Sequence, residues 1–391
     1  MNFTRRRYKF KFFIMKTISR LRYFLYLSIL IVGCTTGKNA LQKGNYDASV
    51  HKAVDRLRSS PKNTEAQQVL ASAYSFALKD HLSKIYEAKL TADVWRWEYI
   101  LNHYEQLNAL ANEVNSCAAC QELIPKAQQF IVEVKESKSK AAAVRYSRGL
   151  TLLNENNRIS AKKAYYEFEI AQQLNPNYKD VKTKLDDAYW AAVVKVVVEQ
   201  VQMNNGNYQL SNQHFQQEIN QFMGNYRSNK FIVFYDEKQA AQQQVVPDQV
   251  LSLQFNNFTV GQTYVKETVE KMKKDSVIVG YTRTKRPIYG TVKANFSFFD
   301  KKISSSGLLS LMITDWDTRK VLKQQELSGT YVWQDNWARY RGDERALTHQ
   351  QLKLICKREV LPPTPEVLFL EFTKPIYAQL VNEVNYFYNQ F

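Results

Sequence analysis

"GNYDASVHKAVDRLRSSPKNTEAQQVLASAY", residues 44–74, and "AKKAYYEFEIAQQLNPNYKDVKTKLDDAY", residues 161–189, read as two copies of one pattern. In each copy a run carrying small residues ends near a proline, and a second run follows with a tyrosine at its far end. Leu70 and Tyr74 stand 9 and 13 residues after Pro61, and Leu185 and Tyr189 stand 9 and 13 residues after Pro176. Small residues such as Ser49, Ala164 and Ala171 let two antiparallel helices approach, and an aromatic such as Phe168 fills the groove between them. Proline then stops the chain's second helix, because it lacks the N–H and its ring clashes with the preceding turn. One such hairpin cannot bury its apolar face alone, so neighbours must stack.

With Gly44, Tyr46, Ser49, Val50, Pro61, Leu70, Ala71 and Tyr74 in one copy, and Ala164, Phe168, Ala171, Pro176, Leu185 and Tyr189 in the other, the pattern resembles the tetratricopeptide repeat. Two departures stand out. Arg56 occupies a position where the repeat carries alanine, and the 115 residues from Pro61 to Pro176 are not a multiple of the roughly 34-residue period, so longer helices must intervene. Between them Val94, Trp97, Leu101, Tyr104 and Leu107 recur at spacings of three and four, which predicts one amphipathic face. The resemblance implies a module that binds peptides or partner helices, or a scaffold for the C-terminal domain. Residues 34–192 are expected to form this helical domain.

From residue 193 to 391 the periodicity changes. "AVVKVVVEQV", residues 192–201, is β-branched and reads as a buried strand or as an extension of the helix before it. Phe215, Ile219, Phe222 and Met223 share one helical face that Ser211 is placed to cap, and "KFIVFYD" reads as a second strand. Leu251, Leu253 and Phe255 alternate, as do Val292, Ala294, Phe296 and Phe298. A hairpin is predicted with its turn at Asp315–Lys320. Thr348 with Gln351 forms a candidate capping box, Thr364-Pro365 opens a last helix, and Pro375 is expected to interrupt or restart it. The expected fold class is an α-helical repeat domain and then an α+β domain, mainly antiparallel sheet with flanking helices. The order of elements and the turn "DWDTRKVL", in which Arg319 replaces a glycine, resemble the periplasmic domains of the curli-secretion lipoprotein and of lipoproteins that activate peptidoglycan synthases. That resemblance implies partner binding without catalysis.

The N-terminus reads as an address. Residues 1–33 hold Arg5, Arg6, Arg7, Lys9, Lys11, Lys16, Arg20 and Arg22 and no acid, which leaves +9 of the formal +17 for the rest of the chain. The apolar run Tyr23–Gly33 is far short of the about 20 residues a membrane-spanning helix needs, so a basic head and a short apolar middle describe a secretory signal. Met15 is a candidate true start. Ile31-Val32-Gly33-Cys34 resembles a bacterial lipobox, which implies cleavage before Cys34 and acylation of its thiol. Thr35 follows the cysteine instead of aspartate, and "TTGKNALQKG" holds no acidic cluster. Together these imply an anchor in the outer membrane with the protein facing the periplasm.

Hydrophobic residues make up 45% and charged residues 23% of 391, a composition that predicts a folded, core-bearing chain. Cys117 and Cys120 have redox spacing but lack the flanking tryptophan and intervening proline of a redox pair, so an oxidising compartment predicts a local disulfide. Cys356 and the scattered His51, His81, His103, His214 and His349 supply neither a second CxxC nor HxxxH, and no metal or cofactor is expected. Asp300, Asp315 and Asp317 read as turn residues, and nothing resembles GxSxG, HExxH or a P-loop. Export removes nucleic acid as the partner of a basic protein, leaving anionic lipid headgroups or acidic proteins. The segment "WQDNWARYRGDERALTHQQ", residues 333–351, concentrates Trp333, Trp337, Arg339, Arg341, Asp343 and Arg345, and is read as a partner-binding loop after a strand. The expectation is a non-enzymatic adaptor for envelope proteins in cell-envelope assembly or secretion, with no small-molecule substrate. The alternative is a regulator of a cell-wall synthase, or a cell-wall-active enzyme.

Overall fold

The computed structural model describes residues 36–203 and 208–391, so Cys34, Met15 and the expected signal segment lie outside the described residues. The chain divides into two compact units between Ala191 and Ala192.

Asparagines start three helices of the first unit. Asn45, Asn63 and Asn157 each accept from the backbone N–H three residues on, Ala48, Ala66 and Ser160 respectively, and so open α2 (Tyr46–Ser59), α3 (Thr64–Leu90) and α7 (Arg158–Leu174). A short α1 (Lys38–Gln42) precedes them. Helices α4 (Arg96–Asn115), α5 (Ala118–Leu123) and α6 (Ile131–Leu153) lie between the two repeat copies, and α8 (Val181–Ala192) follows the second. Pro61 and Pro176 sit in the turns after α2 and α7, as the spacing predicts. Helices of 27, 20 and 23 residues at α3, α4 and α6 explain why the prolines are out of register with a 34-residue period. Val50, Ala53, Leu57, Leu70, Ala73 and Tyr74 close one core, with Ala71 instead exposed; Tyr146, Ala164, Phe168, Ala171 and Val181 close another. A Cβ on Gly149 would lie 2.7 Å from the Phe168 ring, so the glycine on α6 is what admits the aromatic of α7. On α4, Leu101, Tyr104 and Leu107 are buried, whereas Val94 precedes the helix and is exposed.

The second unit joins a strand–helix–strand unit to a meander. Its elements are β1 (Val194–Val198), β2 (Gln202–Met203), α9 (Gln209–Gly224), β3 (Ile232–Asp236), α10 (Glu237–Gln242), β4 (Gln249–Tyr281), β5 (Pro287–Asp315), β6 (Val321–Gly342), a 3-10 turn (Glu344–Ala346), α11 (His349–Ile355) and α12 (Pro365–Tyr388). The sheet runs β3-β1-β4-β5-β6, with β1 parallel to both neighbours, β2 paired to β4, and the last three strands antiparallel. Phe215, Ile219 and Met223 of α9 and Phe369, Phe372, Ile376, Leu380, Val384 and Tyr388 of α12 pack on Leu251, Leu253, Phe255, Leu309, Leu311 and Ile313. The α12 residues recur every three or four positions, the spacing of one helical face. Two local expectations are corrected. Tyr208 is the N-cap of α9 and Ser211 is buried in its first turn, because the helix starts before the serine. Pro375 lies inside α12 without ending it, since Phe372 and Ile376 on either side are docked in the core and outweigh one missing backbone bond.

Candidate functional site

The meander is far longer than its core. β4 is 33 residues long, on the order of 100 Å at about 3.3 Å per residue, and no residue in it beyond Phe255 is fully buried. The bulges fall in β4 and β6, so β5 keeps a strict two-residue alternation. Leu309, Leu311 and Ile313 face α12, whereas Val292, Ala294 and Phe296 face the opposite way and pack with Ala338, Ala346, Leu347 and the apolar side of α11. The ribbon is thus held on one face near its base and on the other further out. Thr348 and Gln351 form the capping box that starts α11.

This geometry corrects the reading of residues 333–342 as a loop: they continue β6, paired to β5 as far as Gly342 opposite Ala294. The alternation of that stretch is masked because both of its faces are covered in turn. Trp333 is half-buried opposite Ile303. Trp337 is 6% exposed and stacks on its cross-strand partner Phe299, ring centroids 5.3 Å apart and 8° from parallel. Arg339 and Arg341 are exposed, the first with its guanidinium 5.7 Å from the Phe299 ring. Arg345 grips Asp343 through two N–H donors at 2.9 and 2.6 Å and donates a third to the Ile278 carbonyl at 2.6 Å, tying the outer part of β4 to the 3-10 turn. That pairing holds the Asp343 carboxyl down at about 2. Asp335, buried, accepts from Lys357 at 2.7 Å and from the Val360 N–H at 2.8 Å, and Lys357 holds its carboxyl below the usual range. Of the six residues marked in the sequence, Trp337, Asp343 and Arg345 hold the ribbon together, and Arg339 and Arg341 remain as surface.

Beyond β6 the ribbon narrows to two strands that end in "YTRTKRPIY", residues 281–289. The Thr282 N–H donates to the Arg286 carbonyl at 2.9 Å and the Lys285 N–H to the Thr282 carbonyl at 2.9 Å, which makes a three-residue hairpin loop. Lys285 occupies its left-handed position with φ of 57°, where glycine is the favoured residue. Tyr281 and Tyr289 are 65% and 62% exposed, and Ile278, Val279 and Ile288 are exposed beside them. Arg283, Lys285 and Arg286 crown the turn, and no acid occurs from Ser276 to Val292. Sequence reasoning passed over this tip. Its signal was a basic run between two tyrosines, without the one-sided alternation that marks a half-buried strand.

The helical unit holds its own polar clusters. Cys117 and Cys120 are bonded at the start of α5, and both are buried in the first core. Arg145 pairs with Glu98 at 2.6 and 2.9 Å and with Glu167 at 2.9 Å, and lies 3.9 Å from the Trp95 ring centroid, joining α4, α6 and α7. His81 and His103 are buried with their Nδ1 atoms 2.7 Å apart, and His81 Nε2 reaches the Asp47 carboxylate at 3.1 Å. At that distance the two rings share a hydrogen bond. Burial, and then the neighbouring His81, push His103 below its ordinary value, with Lys84 adding to the effect and Asp80 and Asp47 opposing it. Asp47 is lowered chiefly by its hydrogen bond to His81, against its own burial, with His51 and Lys84 nearby. Both depressed groups bind fewer protons folded than unfolded, so stability present above the unfolded values is lost as pH falls through the folded ones. The helical unit's melting temperature is expected to drop on acidification from neutrality, and His103→Phe to flatten that dependence in a pH series of thermal melts.

Among the described residues no group of three or more His, Cys, Asp or Glu is arranged to hold a metal, and no helix is long and apolar enough to cross a membrane. No protein-family model matches the sequence, and no curated protein matches it. Among solved structures, the chain is similar to the crystal structure of a neuraminyllactose-binding hemagglutinin homolog from Helicobacter pylori, at 10% identity and a TM-score of 0.23, over 49% of this chain and 85% of that one.

Proposed function

We propose that this chain is a non-enzymatic lipoprotein of the bacterial envelope, anchored through Cys34 in the outer membrane and facing the periplasm, that works as an adaptor by binding other envelope proteins. The observation that carries the reading is the ribbon: three strands continue far past the core that α9 and α12 build, with exposed side chains along β4 from Tyr264 outward. Long paired strands covered over only part of their length gain little from burial along the rest, and exposed apolar residues there are a surface suited to contact. The helical repeats add a second surface of the kind that stacked hairpins present to peptides and helices.

The test is site-specific photocrosslinking in the producing bacterium, with the probe placed at Tyr264 on β4 and at Val332 on β6, both exposed. A discrete protein adduct from these positions, absent from a probe at exposed Val246 outside the ribbon, is the expected result. No adduct from either ribbon position, in cells where mass spectrometry finds Cys34 acylated, would overturn the adaptor reading while leaving the anchor standing.

A further inference from the structure

We infer that the tip of the ribbon, residues 276–292, is a membrane-touching device that docks on an anionic lipid surface. Three features of the tip point to that partner. The first is charge: Arg283, Lys285 and Arg286 stand at the turn with no acid between Ser276 and Val292, and Lys271, Lys274 and Lys293 follow behind them on the two strands, where Lys273 is paired with Asp275. Clusters of this kind are drawn to acidic headgroups. The second is the kind of apolar residue beside the charge. Tyrosine, with an apolar ring and a polar hydroxyl, settles at headgroup depth, and Tyr281 and Tyr289 flank the basic turn with most of their surfaces bare.

The third feature separates a bilayer from an acidic protein. Ile278 lies opposite Tyr289 and Tyr281 opposite Pro287, which puts these four on one face of the hairpin. Ile288 lies on the other, and Gly290 beside it meets the Val279 side chain on that same side. Apolar side chains are exposed on both faces of a protruding two-stranded end. The surface of a folded partner covers one face of such an end, whereas a lipid interface closes round it from every side. The charged turn also sets the depth. Guanidinium and ammonium groups at the extremity forbid entry into hydrocarbon, so the tip rests among headgroups, with phosphates on Arg283, Lys285 and Arg286 and the tyrosines just behind them on the strands. Lysine in a left-handed position where glycine is more stable fits the same role, since it adds a charge at the outermost point.

The envelope location rests on the proposed function, whereas the protein partner is not needed. The test uses the chain from residue 34 onward carrying Cys34→Ser, so that no acyl chain contributes. The probes are sedimented vesicles of phosphatidylglycerol with phosphatidylethanolamine, and vesicles of phosphatidylcholine alone. Binding to the anionic vesicles only, weakened by salt, is the expected result. Arg283→Ser with Arg286→Ser, and separately Tyr281→Ser with Tyr289→Ser, should each weaken it by about tenfold or more. Lys285→Gly, which relieves the turn, controls for folding and should weaken binding less than the double arginine variant. Each variant is to show the thermal transitions of the parent, because Tyr281, Arg283, Lys285, Arg286 and Tyr289 belong to none of the hydrophobic clusters. Equal binding to both vesicle types, or unchanged binding by both double variants, overturns the proposal. So does a protein adduct from a photoprobe at Tyr281 in cells without vesicle binding, an outcome that leaves the adaptor reading intact.

Discussion

Gly329→Ala is expected to destabilise the sheet-bearing unit by about 3 kcal/mol, the upper part of the usual range for overpacking. Gly329 on β6 pairs with Gly307 on β5, and α12 crosses the sheet over the two of them. A Cβ at Gly329 would stand 2.1 Å from the Phe372 carbonyl oxygen and 2.7 Å from Ile376 Cγ1; one at Gly307 would stand 2.6 Å from the Phe372 ring. A side chain in the way could rotate, but the Phe372 carbonyl is helix backbone and can only move with α12. Moving α12 means lifting Phe369, Phe372 and Ile376 out of the main core. For a unit of this size the loss corresponds to a fall in melting temperature of roughly 10 °C. Calorimetry checks it, and the transition of the sheet-bearing unit is the one expected to shift. Gly224→Ala is the control: no atom lies within 4 Å of a Cβ there, and alanine at the end of α9 is expected to be neutral or to stabilise by about 0.5 kcal/mol.

The glycine pair also shows where the sequence was readable. Patterns that depend on neighbours in the chain were legible: the capping box of Thr348 and Gln351, the prolines after α2 and α7, the alternation of Leu251, Leu253 and Phe255, and the turn from Asp315 to Lys320. Contacts between distant residues were not. Gly307 and Gly329 make sense only once β5, β6 and α12 are together, and Gly149 only beside Phe168. The ribbon was hidden for a different reason. Alternation betrays a strand when one face is buried, and the outer half of β4 has neither face buried. In β5 the buried face changes over between Phe296 and Ile303, which breaks the period in composition while the backbone stays regular. The candidate site suffered from the same effect. Aromatics with arginines at residues 333–345 suggested a loop, whereas their clustering comes from holding a strand edge on both sides.

Trp337→Ala should cost the same unit about 3 kcal/mol, the low end for removing a buried tryptophan. The indole lies flat on Phe299 across the strands, with the Arg339 guanidinium 5.7 Å from the Phe299 ring, so truncation opens a gap that the paired backbone of β5 and β6 cannot close. Trp337→Phe keeps the stack and also removes an indole N–H that is buried without a hydrogen-bond partner, so it is expected to fall within about 1 kcal/mol of the parent. The contrast bears on function as well as stability. Lost partner binding in Trp337→Ala would follow from a loosened ribbon alone and says nothing of contact. Arg339→Ala and Arg341→Ala, both at exposed positions, should change stability by no more than about 0.5 kcal/mol and are the clean probes of that surface. Denaturant melts of the three alanine variants, run beside crosslinking from Val332, separate the two roles. Should Trp337→Ala melt like the parent while abolishing the adduct, the indole would be a contact residue after all, and the assignment of residues 333–342 to the internal fabric of the ribbon would fail.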